Sequence, residues 1–212
     1  MYFDASFHRE RDMSTIDANG MLIDPRVISR RSSGIEHGAL PKVLAIVVHQ
    51  TDSSTAESSL NSYGDGGNGA HFLIDKNGQI YQTASLYSRC YHVGKLIKSK
   101  CLTVNRNTCD TAAMAKMLAM SWIQQINALD AHERAKSYPD RYPVNSEAIG
   151  IELVGLHIDE KTYEAVTAAQ NTALQWLIDE LYAQFNLKPA DVYRHPTVSY
   201  KNPGEASSAI WK

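Results

Sequence analysis

The sequence predicts an α/β (α+β) domain in which a central mixed β-sheet is flanked by helices. The apolar run over residues 43–48 is typical of a strand buried on both faces, because its apolar residues are consecutive rather than alternating. The dipeptide Asn77-Gly78, between two short apolar segments, is typical of a tight hairpin turn. From about residue 162 to 185, apolar residues recur every three or four positions, which indicates a long amphipathic helix.

The chain of 212 residues is predicted to form one domain preceded by a lead-in. Residues 1–40 are rich in Arg, Ser, Asp and Gly and are expected to be loosely structured, which puts the domain at 41–212. From about residue 95 to 145 the sequence turns polar around one predicted helix. This inserted helical segment is interpreted as an insertion or a lid.

Capping residues, turn residues and apolar patterns predict the order of the elements along the chain. In chain order we expect a strand over 43–48, a helix over 55–64 capped by Ser53 or Ser54, hairpin strands over 70–75 and 79–83, an insertion helix over 110–136 capped by Asp110, a buried strand over 147–155, the long helix from about 162 to 185, stopped by Asn186 and Pro189, and a last short strand ending at His195.

Composition and charge exclude several classes of protein. The formal net charge is −2 and the pI is near 6.4, so a nucleic-acid partner is not expected. No apolar run is long enough to predict an integral membrane segment. The first twenty residues lack the apolar stretch of a secretory signal, so we expect synthesis in the cytoplasm without a signal peptide.

Three cysteines, Cys90, Cys101 and Cys109, are too few for a disulfide framework and lack the spacing of a structural zinc site. Cys101 and Cys109 bracket a short polar loop. Either these two pair in an oxidising compartment, or all three are free thiols.

Polar residues that are suited to catalysis stand at or inside the predicted strands. His49 and His195 each follow a strand, and Glu152 interrupts an apolar one, where an unpartnered carboxylate would be costly. Imidazole nitrogens and a carboxylate oxygen suit Zn²⁺, and a separate carboxylate can act as a general base. Singly, each residue is more often structural; together they suggest a hydrolytic metal site.

Five segments in order carry a resemblance to a known family: "IVVHQTDSS", "AHFLIDKNGQIYQTA", "YHVGK", "SEAIGIELVG" and "RHPTVSYKNPGEA". They resemble the zinc-dependent N-acetylmuramoyl-L-alanine amidases, in the superfamily that also contains peptidoglycan recognition proteins. The resemblance runs from about Val43 to Glu205. It fails over the first forty residues and over the insertion.

The resemblance implies roles for the matching residues. His49 and His195 match zinc ligands, and Glu152 matches the carboxylate that activates water in the hydrolytic members. His92 matches a histidine that borders the substrate groove. The implied cofactor is Zn²⁺, and the implied reaction is hydrolysis of the amide between N-acetylmuramic acid and L-alanine in peptidoglycan or muropeptides.

The third ligand departs from the family pattern. Members commonly carry Asp or Cys where this chain has Asn202, and an amide is a poor zinc ligand. Glu205, ten positions after His195, is the favoured third ligand; Asn202 as a weak ligand, or a site with only two protein ligands, stays open. Lys201 is the candidate cation for the oxyanion. Gln50 stands where many members have a second histidine.

Two questions of function remain open at the level of sequence. The alternative to an enzyme is a non-catalytic peptidoglycan-binding module on the same scaffold, although a pure binder has no need of Glu152. The biological setting is that of a cytosolic recycling enzyme, a phage lysin, or an effector delivered by a route such as type VI secretion.

The insertion and the cysteine pair favour an exported antibacterial effector that acts in the periplasm or cell wall of a target cell. Such an effector would need a cognate immunity protein in its producer. We also expect a monomer, because the single apolar stripe of the long helix is used by its own sheet.

Overall fold

The computed structural model describes residues 14–212, and a mixed β-sheet forms its centre. The strands are β1 (Thr15–Ile16), β2 (Leu22–Ile23), β3 (Val27–Ser29), β4 (Ala45–Gln50), β5 (Phe72–Ile74), β6 (Ile80–Gln82), β7 (Ala148–Leu153), β8 (His157–Asp159), β9 (Thr162–Tyr163) and β10 (Val192–Arg194). The α-helices are α1 (Ala56–Gly64), α2 (Lys100–Val104), α3 (Thr111–Leu118), α4 (Trp122–Arg134), α5 (Ala168–Phe185) and α6 (His195–Val198).

The central sheet has six strands in the order β10-β4-β7-β5-β6-β3. Strands β5 and β6 form the antiparallel hairpin predicted around Asn77-Gly78, and Gly78 has the positive φ of 87° that this turn requires. The other neighbouring pairs of this sheet are parallel. The structure therefore confirms the predicted fold class, a mixed sheet flanked by helices.

Strand β4 is buried on both faces, as its consecutive apolar residues predict. Ile46 and Val48 belong to the core on the side of α5, which contributes Leu174 and Leu177. Val47 faces the opposite layer, which is built from residues of the insertion and of the segment before it. The strand extends to Gln50, so His49 lies inside the strand rather than after it.

Three helix boundaries differ from the sequence prediction, two of them because of side-chain caps. Helix α1 is capped by Thr55, whose Oγ1 accepts from the Ser58 amide, not by Ser53 or Ser54. The predicted insertion helix is two helices, α3 and α4, with Asp110 capping the first as expected and Ser121 starting the second. Helix α5 begins at Ala168, not near 162, because Thr167 and Gln170 form a capping box.

The expectation of a loosely structured lead-in is wrong for residues 14–40, and residues 1–13 lie outside the described part. Strand β3 pairs with β6 and completes one edge of the central sheet. The buried amide of Gln82 accepts from the Leu22 amide and donates to the Gly20 carbonyl, at 2.7 and 2.8 Å. The apolar residues of this segment are separated by turns, so they show no helical or strand periodicity.

The insertion is fixed to the segment over 94–96. Asn127 accepts from the Lys95 ammonium at 2.5 Å, Asp130 accepts from the Leu96 amide at 2.8 Å, and Arg134 donates to the Gly94 carbonyl at 3.0 Å. Cys101 and Cys109 form a disulfide, and Cys90 is a buried free thiol. Among residues 14–212, no helix combines the length and the apolar character needed to cross a bilayer.

Candidate metal centre

The register of three parallel strands brings the predicted site residues together. Strands β4 and β7 pair His49 directly with Glu152, and both side chains point to the face opposite α5. Strands β10 and β4 pair Arg194 with Val48, so the next residue, His195, follows beside His49. Two residues far apart in sequence therefore become neighbours through backbone pairing alone.

His49, His195 and Glu205 converge on one point in the described part of the chain. One donor atom from each residue lies within 4.8 Å of the others, and all three residues are buried. Oε1 of Glu205 is 2.9 Å from Nδ1 of His195 and 3.5 Å from Nδ1 of His49. The two imidazoles thus present the same ring nitrogen to one carboxylate oxygen.

A chain of hydrogen bonds fixes the tautomer of His49. The Ala148 carbonyl can only accept, so Nε2 of His92 donates to it at 3.2 Å and Nδ1 of a neutral His92 is left as an acceptor. Nε2 of His49 lies 3.0 Å from that Nδ1 and therefore donates to it. Burial, together with the neighbouring His195, lowers the pKa of His49 to about 4, so its Nδ1 carries a free lone pair at neutral pH.

His195 is held in the same way by a backbone group. Its Nε2 donates to the Val93 carbonyl at 3.1 Å, and its Nδ1 is thereby directed towards Glu205. Burial raises the pKa of Glu205, but its contacts with His195 and His49 outweigh burial and hold that pKa at about 2. Nδ1 of each histidine and one carboxylate oxygen therefore face one another.

This donor set fits Zn²⁺. Zinc prefers imidazole and carboxylate ligands, and here two imidazole nitrogens and one ionised carboxylate lie within 4.8 Å of one another. The outer ring nitrogens are already bonded to His92 and Val93, which is the arrangement that orients histidine ligands in metal sites. Three protein ligands are the number usual in catalytic zinc sites, and these three residues would hold the ion.

Glu152 lies beside this cluster but outside it. Its Oε2 is buried and has no hydrogen-bond partner among residues 14–212. Burial, reinforced by the charge on Glu205, raises the pKa of Glu152 to about 8. A carboxyl group with a pKa near neutrality can both take and return a proton, which is the property of a general acid–base catalyst.

The cluster forms the floor of a cleft of about 710 Å³. Glu152, Lys201 and His92 all line this cleft, as do Tyr63 and Tyr163. Lys201 is exposed. Both ring nitrogens of His92 are used within the protein, so the structure shows His92 as a support of His49, while its predicted contact with substrate stays a prediction.

Asn202 lies away from the convergent atoms. Its Oδ1 accepts from the Gly204 amide at 2.8 Å, and its Nδ2 donates to the Asp159 carbonyl at 2.9 Å. Its amide therefore closes a turn and attaches it to the hairpin of β8 and β9. Asn202 as a weak ligand is not supported by this geometry, because its amide is engaged elsewhere and Glu205 supplies the third donor atom.

Sequence reasoning missed the roles of Gln50 and Tyr63. Gln50 attracted notice only because it replaces a histidine of the family pattern, and its buried amide in fact joins two backbone segments. Tyr63 comes from α1 and lines the same cleft as Glu152. No periodic signal marks either residue; only the folded structure brings them to the site.

His71 has a structural role and gives the protein a predicted acid sensitivity. Its Nε2 donates to the Ser88 carbonyl and its Nδ1 accepts from the Gly150 amide, so the buried ring is neutral and its pKa falls, through burial, to about 4. The imidazole of the unfolded state takes up a proton near pH 6.5, whereas the buried ring does so only near pH 4. The free energy of unfolding is therefore unaffected by His71 above pH 6.5 and falls by on the order of 3 kcal/mol as the pH is lowered to 4.

The measurement is the free energy of urea unfolding from pH 7 to 4.5, with metal removed. We expect His71→Asn to be less stable than wild type at pH 7 but to lose stability less steeply on acidification. The same substitution at the exposed His157 is the control. Equal slopes for wild type and His71→Asn would contradict this account.

Comparison with known proteins shows the family and the fold of this chain. The N-acetylmuramoyl-L-alanine amidase family matches the chain over residues 39–206. No curated relative matches the chain. Among similar solved structures, the catalytic domain of XlyA has 21% sequence identity and a TM-score of 0.50, and the match covers 82% of this chain and 87% of that chain. The N-acetylmuramoyl-L-alanine amidase LysC from Clostridium intestinale URNW has 18% identity and a TM-score of 0.50, with 84% of this chain and 87% of that chain covered. A selenomethionine derivative of AmpD has 18% identity and a TM-score of 0.51, with 89% of this chain and 94% of that chain covered. At these identities the structures show a common fold.

Proposed function

Because the chain belongs to the N-acetylmuramoyl-L-alanine amidase family, we propose that it is a zinc-dependent enzyme that hydrolyses the amide between N-acetylmuramic acid and L-alanine in peptidoglycan. The observation that carries the proposal is the convergence of two imidazole nitrogens and the Glu205 carboxylate beside Glu152. His49, His195 and Glu205 would hold the ion. Zinc, when bound, supplies Lewis acidity, which polarises an amide carbonyl and makes water more acidic.

The residues of the chain supply the proton transfers and the orientation. Glu152 accepts a proton from the attacking water and returns it to the leaving amine, through a carboxyl group that no other residue described here engages at Oε2. His92 and the Val93 carbonyl keep the two imidazoles in one tautomer throughout. A pure binding module would leave the buried, unpartnered oxygen of Glu152 without a purpose, which favours the enzyme.

The experiment that tests this proposal is digestion of purified peptidoglycan sacculi. Cleavage at the lactyl amide releases stem peptides with a free N-terminal L-alanine, which mass spectrometry identifies. A chelator should abolish release and added zinc should restore it. Binding to sacculi without any released peptide, at full zinc occupancy, would instead favour the non-catalytic module.

Lys201 is proposed to stabilise the negative charge that develops on the carbonyl oxygen, because its ammonium group lines the cleft beside Glu152. We expect Lys201→Met to lower kcat by roughly 10²-fold, the usual cost of losing one oxyanion donor, while the zinc content stays unchanged. Lys161→Met, at an exposed site on the neighbouring hairpin, is the matched control. A normal kcat in Lys201→Met would remove this residue from the mechanism.

We propose that the enzyme acts outside the reducing cytoplasm, in the periplasm or wall of a target cell, as an antibacterial effector. The Cys101–Cys109 disulfide supports this setting, because such bonds persist in oxidising compartments. A cognate immunity protein that covers the cleft is the corresponding partner. Recovery of the active protein with both cysteines reduced, from the compartment where it acts, would contradict the proposed setting.

A further inference from the structure

Gln50 joins two backbone segments directly behind the metal centre. Its Nε2 donates to the Glu164 carbonyl at 2.7 Å, and its Oε1 accepts from the Ala206 amide at 3.1 Å. The side chain is buried. Gln50 follows the ligand His49, and Ala206 follows the ligand Glu205, so this one amide connects the neighbours of two ligands.

The backbone at Ala206 is in an unfavourable conformation that needs such support. Ala206 has a φ of 52°, in the left-handed region that side chains other than glycine rarely adopt. Both of its backbone polar groups are bonded to side chains: its amide to Gln50, and its carbonyl to Nε of Arg194 at 3.0 Å. Arg194 immediately precedes the ligand His195, so the neighbours of both histidine ligands hold the residue next to the third ligand.

Two glycines make room for Gln50 and for the turn that carries Glu205. A Cβ atom at Gly155 would lie 2.1 Å from Nε2 of Gln50, so the absence of a side chain there is required for the amide to reach its partners. Gly204, on the other side of Glu205, comes close to the hairpin of β8 and β9, where a Cβ would lie 2.2 Å from the Lys161 carbonyl oxygen. The turn that carries Glu205 is therefore held at both ends.

We propose that Gln50 is a positioning residue for the third zinc ligand: by joining the Glu164 carbonyl to the Ala206 amide, it sets the Glu205 carboxylate against the two imidazoles. This inference rests on the metal centre of the proposed function.

The test is the zinc affinity of Gln50→Met, measured by competition with a chromophoric chelator. Methionine keeps the length of the side chain but makes neither hydrogen bond. We expect zinc binding to weaken by roughly 10- to 100-fold, the usual effect of losing a group that orients a ligand. The visible spectrum of the Co²⁺-loaded protein should change as well, because it reports the coordination geometry, and excess zinc should restore kcat.

Gln82→Met is the matched control. Gln82 is another buried glutamine that bonds one backbone amide and backbone carbonyls, but it lies in β6, beside the edge strand β3, and does not line the cleft. We expect it to lower the melting temperature and to leave zinc affinity within about twofold of wild type. Gln50→Asn, which keeps the amide on a shorter stem, serves if Gln50→Met does not fold, and its expected loss of affinity is smaller.

The outcomes separate this inference from the proposed function. If wild type binds zinc and Gln50→Met or Gln50→Asn binds it equally well, with an unchanged cobalt spectrum, the positioning role is wrong and the metal centre stands. If wild type itself binds no zinc, the proposed function fails with it. An equal loss of affinity in Gln50→Met and Gln82→Met would assign the effect to general destabilisation and overturn the inference.

Discussion

Replacing Glu152 by glutamine is expected to lower kcat by roughly 10²- to 10⁴-fold, the range usual for the loss of a general base. Glutamine has the same shape but cannot take a proton from water. Zinc binding should be unchanged, because Glu152 is not one of the convergent donors. The measurements are the rate of peptide release from sacculi and the zinc content of the purified variant.

Glu160→Gln is the control for this variant, since Glu160 is exposed on the neighbouring hairpin. It should retain full activity. The Glu152→Gln protein should still bind sacculi, because its cleft is unaltered. A rate within tenfold of wild type, at full zinc occupancy, would show that another group carries the proton.

Replacing Glu205 by alanine is expected to abolish stable zinc binding and, with it, activity. Only two imidazoles would remain, and the negative charge that favours a dication would be gone. We expect affinity to fall by more than the roughly 10- to 100-fold that loss of an orienting partner costs. Equilibrium dialysis with zinc, followed by metal analysis, measures this directly.

The companion variant Asn202→Asp separates the two candidate ligands. Aspartate keeps the oxygen that accepts from the Gly204 amide, and it introduces the residue that the family commonly has at this place. We expect no gain in zinc affinity, and no recovery in the double variant with Glu205→Ala. Zinc binding that survives loss of Glu205 and responds to position 202 would reverse the assignment.

Much of the site could be predicted from sequence because strands restrict where side chains go. His49 and Glu152 each stand in an apolar strand, and once two such strands pair in parallel, their polar residues lie side by side. Strand pairing does not predict whether Glu205 or Asn202 is the third ligand. Both lie in one turn, and only the folded backbone directs one inward while the other bonds Asp159.

The mistaken elements share a different physical cause. Residues 110–136 have a continuous helical pattern, yet the helix ends at Leu118 and restarts at Trp122. Hydrophobic periodicity does not reveal such a break, because α3 and α4 pack their apolar residues against each other and the pattern continues from one helix into the next. Residues 14–40 fold through contacts with residues far away in the sequence, such as Gln82. No local pattern within residues 14–40 predicts these contacts.

The edge strand β3 limits how far the chain can be truncated from its N-terminal side without exposing an unpaired strand. The family match begins at residue 39, whereas β3 ends at Ser29. A chain cut at the start of the match would leave β6 with unpaired amides and carbonyls along its outer side, a surface that invites strands from other molecules. A protease that removes the first forty residues would therefore produce a self-associating fragment, even though every residue of the metal centre would still be present.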